Sequence, residues 1–162
     1  MPYAHHVRGW ILAAQTVVTG VAVAGCAAFG GGAESCVSWV EFKKPADAMA
    51  DATVVVLAEG PTALAGTTDL FGVDANVHSV QVADVLKGTD VRAGQDLEVT
   101  STPVTCTGGG VYPDGDPLDA SGTLVLFLSW DLDAHVWRTM TPSQGVIAAT
   151  DGGQVPLTWP TP

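Results

Sequence analysis

Apolar residues form one long run near the start of the chain and a series of short runs after it. The long one, WILAAQTVVTGVAVAG from Trp10 to Gly25, is broken by polar residues only at Gln15, Thr16 and Thr19. From Cys36 onward the runs have strand length and are separated by Gly, Pro, Asp and Thr. ATVVVLAEG is β-branched and continuous, the pattern of a strand buried on both faces or crossing a barrel. ANVHSVQVADVLKG alternates Val80 and Val82 against Ser79 and Gln81, and its phase changes at His78-Ser79, which predicts a bulge or bend. LEVTSTP places Leu97 and Val99 on one face, and TLVLFLSW is the most apolar block of the chain. WRTMTPSQGVIAATDGGQV predicts one or two weaker strands around Gly145 and a turn at Asp151-Gly152-Gly153. Pro45 in KKPADAMADAT suits a first helical turn, so a short helix is expected from Ala46 to Asp51. Asp131 and Asp133 in SWDLDAHVW read as a hairpin turn.

Five to six strands, one short helix and no strand-helix-strand rhythm predict an all-β fold, a small barrel or sandwich. The tail PLTWPTP is too rich in proline to continue a ladder. Its Trp159 is expected either to cap a barrel end or to lie in a loose terminus.

The first segment has the layout of a secretory signal: MPYAHHVRG carries one Arg and no acid, then come the apolar run and small residues. An uncleaved membrane anchor is the alternative, although the run is short of the roughly 20 strongly apolar residues that a span requires. Val23-Ala24-Gly25-Cys26 resembles the bacterial lipobox, in which the cysteine receives a diacylglycerol and becomes the first residue of the mature protein. The expected organisation is therefore a signal over residues 1–25, a lipidated cysteine and flexible linker over 26–35, a folded domain over 36–155, and a proline-rich tail over 156–162. That layout locates the protein on the extracytoplasmic face of a membrane. Two further cysteines, Cys36 and Cys106, in an exported chain read as a disulfide. In the chain-entropy model such a bond stabilises by about 4 kcal/mol.

With 162 residues the chain fits one domain. It carries 6 basic against 17 acidic residues, and the basic ones gather nowhere beyond Lys43-Lys44, so nucleic acid is excluded as a partner for want of a positive patch.

The order Cys36, KKPADAMADATVVVLAEG, VHSVQVADVLKG, LEVTSTPVTCTGG, TLVLFLS resembles the netrin-like module, the OB-fold barrel of the tissue inhibitors of metalloproteinases. The resemblance runs from Cys36 to about Ser129. It implies a small OB-like barrel of five to six strands with one short helix, and a bond between a cysteine ahead of that helix and one after the third strand, a pattern that Cys36 and Cys106 fit. Several further cysteines of those inhibitors are missing. Their inhibitory group is a free N-terminal cysteine, whereas Cys36 follows Ser35. Metalloprotease inhibition is accordingly not expected. The composition resembles small exported actinobacterial-type lipoproteins equally well.

Candidate chemistry is sparse. Asp114, Asp116 and Asp119 in VYPDGDPLDASG are weak calcium candidates that lack the glutamate completing an EF-hand loop, and they suit a solvated turn better. His78 and His135 stand alone, without the spacing of a zinc site. No G-x-S-x-G and no phosphate-binding glycine loop occurs. Trp39, Phe42, Tyr112, Trp130 and Trp137 are expected at loops or strand ends, where aromatic side chains serve either as binding anchors or as barrel plugs. The reading is a lipid-anchored binding protein for a protein or envelope component, without cofactor or catalysis. An envelope-acting enzyme or enzyme subunit, a calcium-dependent binder and an inhibitor-like protein are the alternatives.

Overall fold

A computed structural model describes residues 37–105 and 110–160. The signal segment, Cys26 and the linker lie outside the described residues, as do both Cys36 and Cys106. Among the described residues, helix α1 (Pro45–Asp51) precedes seven strands: β1 (Val54–Gly60), β2 (Ala63–Leu70), β3 (Val73–Lys87), β4 (Asp96–Thr100), β5 (Gly122–Asp131), β6 (Val136–Thr139) and β7 (Val146–Ala148). A 3-10 turn, Pro117–Asp119, lies between β4 and β5.

The two most apolar runs become the two strands at the centre. In β1, Val54, Val56 and Ala58 enter one core cluster, while Val55 and Leu57 enter a second on the opposite face. β5 pairs antiparallel with it and divides the same way, Leu124, Leu126 and Leu128 against Val125 and Phe127. Successive side chains point to opposite faces, so a strand covered on both sides must be apolar throughout. The second cluster is closed by Phe42, Ala48 of α1, Met140 and Ile147. Trp159 joins it: its ring meets Phe127 edge to face at 5.9 Å, and its Nε1 donates to Phe42 O at 2.7 Å. The tail is thus tied to the segment before α1.

Strand pairing follows the order β1-β3-β4-β6-β5, and β5 returns to β1. The β4–β6 contact is parallel and two residue pairs long, Val99 with Trp137 and Thr100 with Arg138. With so short a seam the sheet is not a closed, continuously laddered barrel, and it has more strands than the five to six expected. β6 and β7 are the weaker strands expected around Gly145, and both pair with β5. β2 is the addition. It pairs only with β3, through a hairpin whose two turn residues, Phe71 and Gly72, have φ of 59° and 81°. Two consecutive positive φ values give the turn the hand that matches strand twist. Phe71 is held there by Trp39, edge to face at 5.3 Å, and by the Arg138 guanidinium 5.4 Å from its ring.

β3 changes partner along its length, pairing with β2 over Val73–Ser79 and with β1 over Val82–Lys87. The register slips opposite His78 lie in β2, between Leu64 and Gly66. The irregularity expected at His78-Ser79 therefore falls on the partner strand.

Candidate functional site

Two places gather chemistry: a buried polar knot around Asp116, and an open cleft walled by two tryptophans. The knot begins with local sequence. Pro117 at the first position of the 3-10 turn and Asp116 at its cap are residue types that start such turns, and Asp116 Oδ1 accepts from Leu118 N at 3.0 Å. Leu118 is fully buried and draws the loop inward.

Asp116 then collects three side-chain donors: Ser101 Oγ at 2.6 Å, Asn76 Nδ2 at 2.7 Å and His78 Nε2 at 3.0 Å. On the other side of the ring, His78 Nδ1 lies 2.9 Å from Thr62 Oγ1, whose hydroxyl donates to Leu118 O at 3.0 Å. The carboxylate requires a proton on Nε2, while Nδ1 either donates to the threonine oxygen or accepts its hydroxyl proton, according to the charge on the ring. Burial pushes its pKa down, but the hydrogen bond and charge of Asp116, the charge of Asp119 and the Thr62 contact outweigh it, and the net displacement is upward. Burial would raise the Asp116 carboxyl, yet the bonds from His78, Ser101, Asn76 and the Leu118 amide bring it down to about 2.

Thr62, His78 and Asp116 form a hydroxyl-imidazole-carboxylate line, which sequence reasoning missed. Chemically it is closed. The hydroxyl faces a carbonyl, both side chains of the ion pair are shielded, and every carboxylate bond is internal. The arrangement fixes three segments of chain to one another and leaves no open position for a reacting atom. Tyr112 belongs to the same knot. Its hydroxyl accepts from Asn76 N at 2.9 Å and donates to Ser101 O at 2.8 Å, and burial pushes the phenol up to about 12. Both capacities of its hydroxyl are thus used within the fold.

Asp114, Asp116 and Asp119 border one hollow, but among the described residues no three His, Cys, Asp or Glu side chains converge as a metal cage does. Asp116 already has both oxygens engaged.

The cleft, of about 520 Å³, lies where β2, β3, β4 and β6 curve past one another. Trp130 at the end of β5 and Trp137 on β6 are directly opposed in their ladder, with rings 5.3 Å apart at 71°. This edge-to-face contact is a favoured cross-strand aromatic pairing. Trp130 remains 40% exposed. β2 contributes Thr67 and Thr68, β4 contributes Glu98 and Thr100, and His135 closes the end from the β5–β6 turn. Glu98 and Thr100 are two positions apart on a strand and so share a face. Thr100 is fully buried beneath the cleft, and its Oγ1 has no hydrogen-bond partner.

Of the aromatic candidates, then, the fold brings together Trp130 and Trp137. Trp39 packs instead against Phe71, with Arg138 5.7 Å from its ring, and Arg138 is held in turn by Asp131 at 3.1 Å. Phe42, expected as an exposed loop aromatic, is a core residue, because the strands β1 and β5 need a cover on their second face. No protein-family model, curated protein or solved structure matches the chain.

Proposed function

We propose that this chain is a lipid-anchored, extracytoplasmic binding protein that holds a protein or envelope component in the Trp130–Trp137 cleft and catalyses no reaction. The observation that carries this reading is the pair of opposed tryptophans, one well exposed, walling a cleft that mixes apolar side chains with threonine, glutamate and histidine. Ligand sites are commonly concave and largely apolar, with a small number of placed polar groups. The anchor rests on the signal-like run and the lipobox-like VAGC ending at Cys26. The closed bonding of Thr62, His78 and Asp116 disfavours the enzyme reading, and the engagement of Asp116 disfavours the calcium reading.

The OB-type, netrin-like frame is part of the same proposal. It is supported by the pairing order β1-β3-β4-β6-β5 with a parallel β4–β6 contact and a return from β5 to β1. The acidic balance and the absence of Lys and Arg from the cleft disfavour nucleic acid.

The test is retention of envelope components from a solubilised membrane fraction by the full chain and by its Trp130→Ala/Trp137→Ala variant. Retention that depends on the two tryptophans is expected, and equal retention by both refutes the cleft as the site. In the same cells, Cys26→Ser is expected to release the protein from the membrane, and unchanged attachment refutes the lipid anchor.

A further inference from the structure

We propose that the Trp130–Trp137 cleft takes an uncharged oligosaccharide, a deepening that rests on the binding reading above. The inference starts from the chemistry of the lining. An indole face is a flat apolar surface that suits the C–H face of a pyranose ring, and Trp130 offers such a surface with 40% of the residue exposed. Around it stand hydroxyls and acceptors: Thr67 and Thr68 on β2, Glu98 on β4, and His135 in the turn. A threonine hydroxyl both donates and accepts, and a carboxylate only accepts. Sugar hydroxyls, which do both, complement that set. The unpartnered Oγ1 of Thr100 marks a polar group beneath the cleft whose bonding the protein leaves unmet, and such groups are uncommon in folded proteins.

Charge narrows the class. No Lys or Arg lines the cleft, Glu98 does, and the chain carries a net charge of −11, so uronic or phosphorylated chains are repelled. Shape narrows it further. The two tryptophans touch each other edge to face, so they form one wall and a corner instead of enclosing a cavity, as the aromatic cage for a quaternary ammonium must. An extended peptide fits less well on the floor at Val77, where β3 is already paired on both sides, with β2 and β4, and offers no free edge for strand addition.

The experiment is a titration of the full chain, followed by tryptophan fluorescence and calorimetry, with maltohexaose, cellohexaose, mannohexaose and chitohexaose. Polygalacturonate, tetramethylammonium and an oligoproline peptide are the comparison ligands. Saturable binding of at least one neutral hexasaccharide is expected. Trp130→Ala should weaken it about tenfold or more, as loss of an aromatic anchor does, and Trp130→Phe should weaken it less. Unchanged melting of both variants ensures that a loss of binding is not a loss of fold.

No binding by any neutral hexasaccharide overturns the proposal, as does preferential binding of polygalacturonate, tetramethylammonium or oligoproline, or glycan binding that ignores Trp130. If these outcomes occur while tryptophan-dependent retention of envelope components persists, the ligand class fails and the cleft stands. If that retention fails as well, the binding reading falls with it.

Discussion

His78 and Asp116 are 38 positions apart in the chain and 3.0 Å apart in the fold, with side chains 1% and 3% exposed. Because the imidazole is more basic in the folded chain than its ordinary 6.5, its contribution to stability is complete below that value and fades as pH rises through the raised folded value. The carboxyl behaves oppositely. Brought from 3.8 to about 2, it stabilises the fold above 3.8 and loses that effect as pH falls toward 2. The urea midpoint is therefore expected to be highest between these limits, from about pH 4 to 6.5, and to fall on both sides. His78→Gln, which keeps a donor toward Asp116 but cannot titrate, should flatten the alkaline decline. A wild-type midpoint that climbs from pH 6 to 9 contradicts the raised imidazole basicity.

Removing Asp116 should be more damaging than its loop position suggests. Asp116→Ala leaves the buried His78 ring without its acceptor and frees the donors of Ser101, Asn76 and Leu118. Breaking a buried pair from one side costs about 3–5 kcal/mol. Chemical denaturation is the measurement. A cost under about 1 kcal/mol, the size of an exposed pair, would mean that the knot is not sealed.

Gly60 ends β1 where the chain passes close beneath the loop before β5. A Cβ there would lie 2.0 Å from Ala120 O and 2.8 Å from Leu124 Cδ1. The first obstacle is backbone and cannot rotate away, so Gly60→Ala should cost at least the roughly 1–3 kcal/mol typical of overpacking. Gly110→Ala, where no atom of the described residues lies within 4 Å, is the control and should be nearly neutral. Equal melting temperatures for the two variants would refute the close approach.

These residues also mark how far the sequence could be read. β1 and β5 were legible because burial on both faces leaves an unbroken apolar run, and Pro45 placed α1 to within one residue. β2 was not: its side chains are almost all exposed, so ALAGTTDL carries no alternation and the strand exists through its ladder with β3. Trp130 and Trp137 were visible as candidates, but their opposition depends on register across a turn. The knot was invisible for a different reason. Asp116 is a common turn residue and His78 sits in an alternating strand, so neither is unusual until the fold brings Thr62, Ser101 and Asn76 beside them. Thr67, Thr68 and Thr100 gave no signal at all, since threonine is ordinary in strands.

Lys87, the last residue of β3, acts as an external cap for α1. Its ammonium donates to the carbonyls of Met49, Ala50 and Ala52 at 2.9, 2.7 and 2.6 Å. These are acceptors that a short helix leaves unsatisfied at its C-terminal end, where positive charge is also favoured. Lys87→Met keeps most of the aliphatic stem and removes the donors. It should lower stability by about 1–2 kcal/mol. Hydrogen exchange at the α1 amides should accelerate, and unchanged exchange would show that the helix is held by packing alone.

Val37 N donates to Thr105 Oγ1 at 3.0 Å, joining residues that are the immediate chain neighbours of Cys36 and Cys106. Both cysteines lie outside the described residues. A bond between them is the expectation that an even pair carries in a chain read as exported. In protein recovered from the envelope of exporting cells, a maleimide applied without reductant should label neither residue, and after reduction it should label both. The reduced protein should also unfold at lower denaturant, by an amount equivalent to about 2–4 kcal/mol. Cys36→Ser and Cys106→Ser should each reproduce that loss, and the double variant should add little to either single one, because the two residues contribute through one bond. Full labelling of the exported, unreduced protein would rule the bond out, and additive losses in the double variant would show that the two cysteines contribute separately.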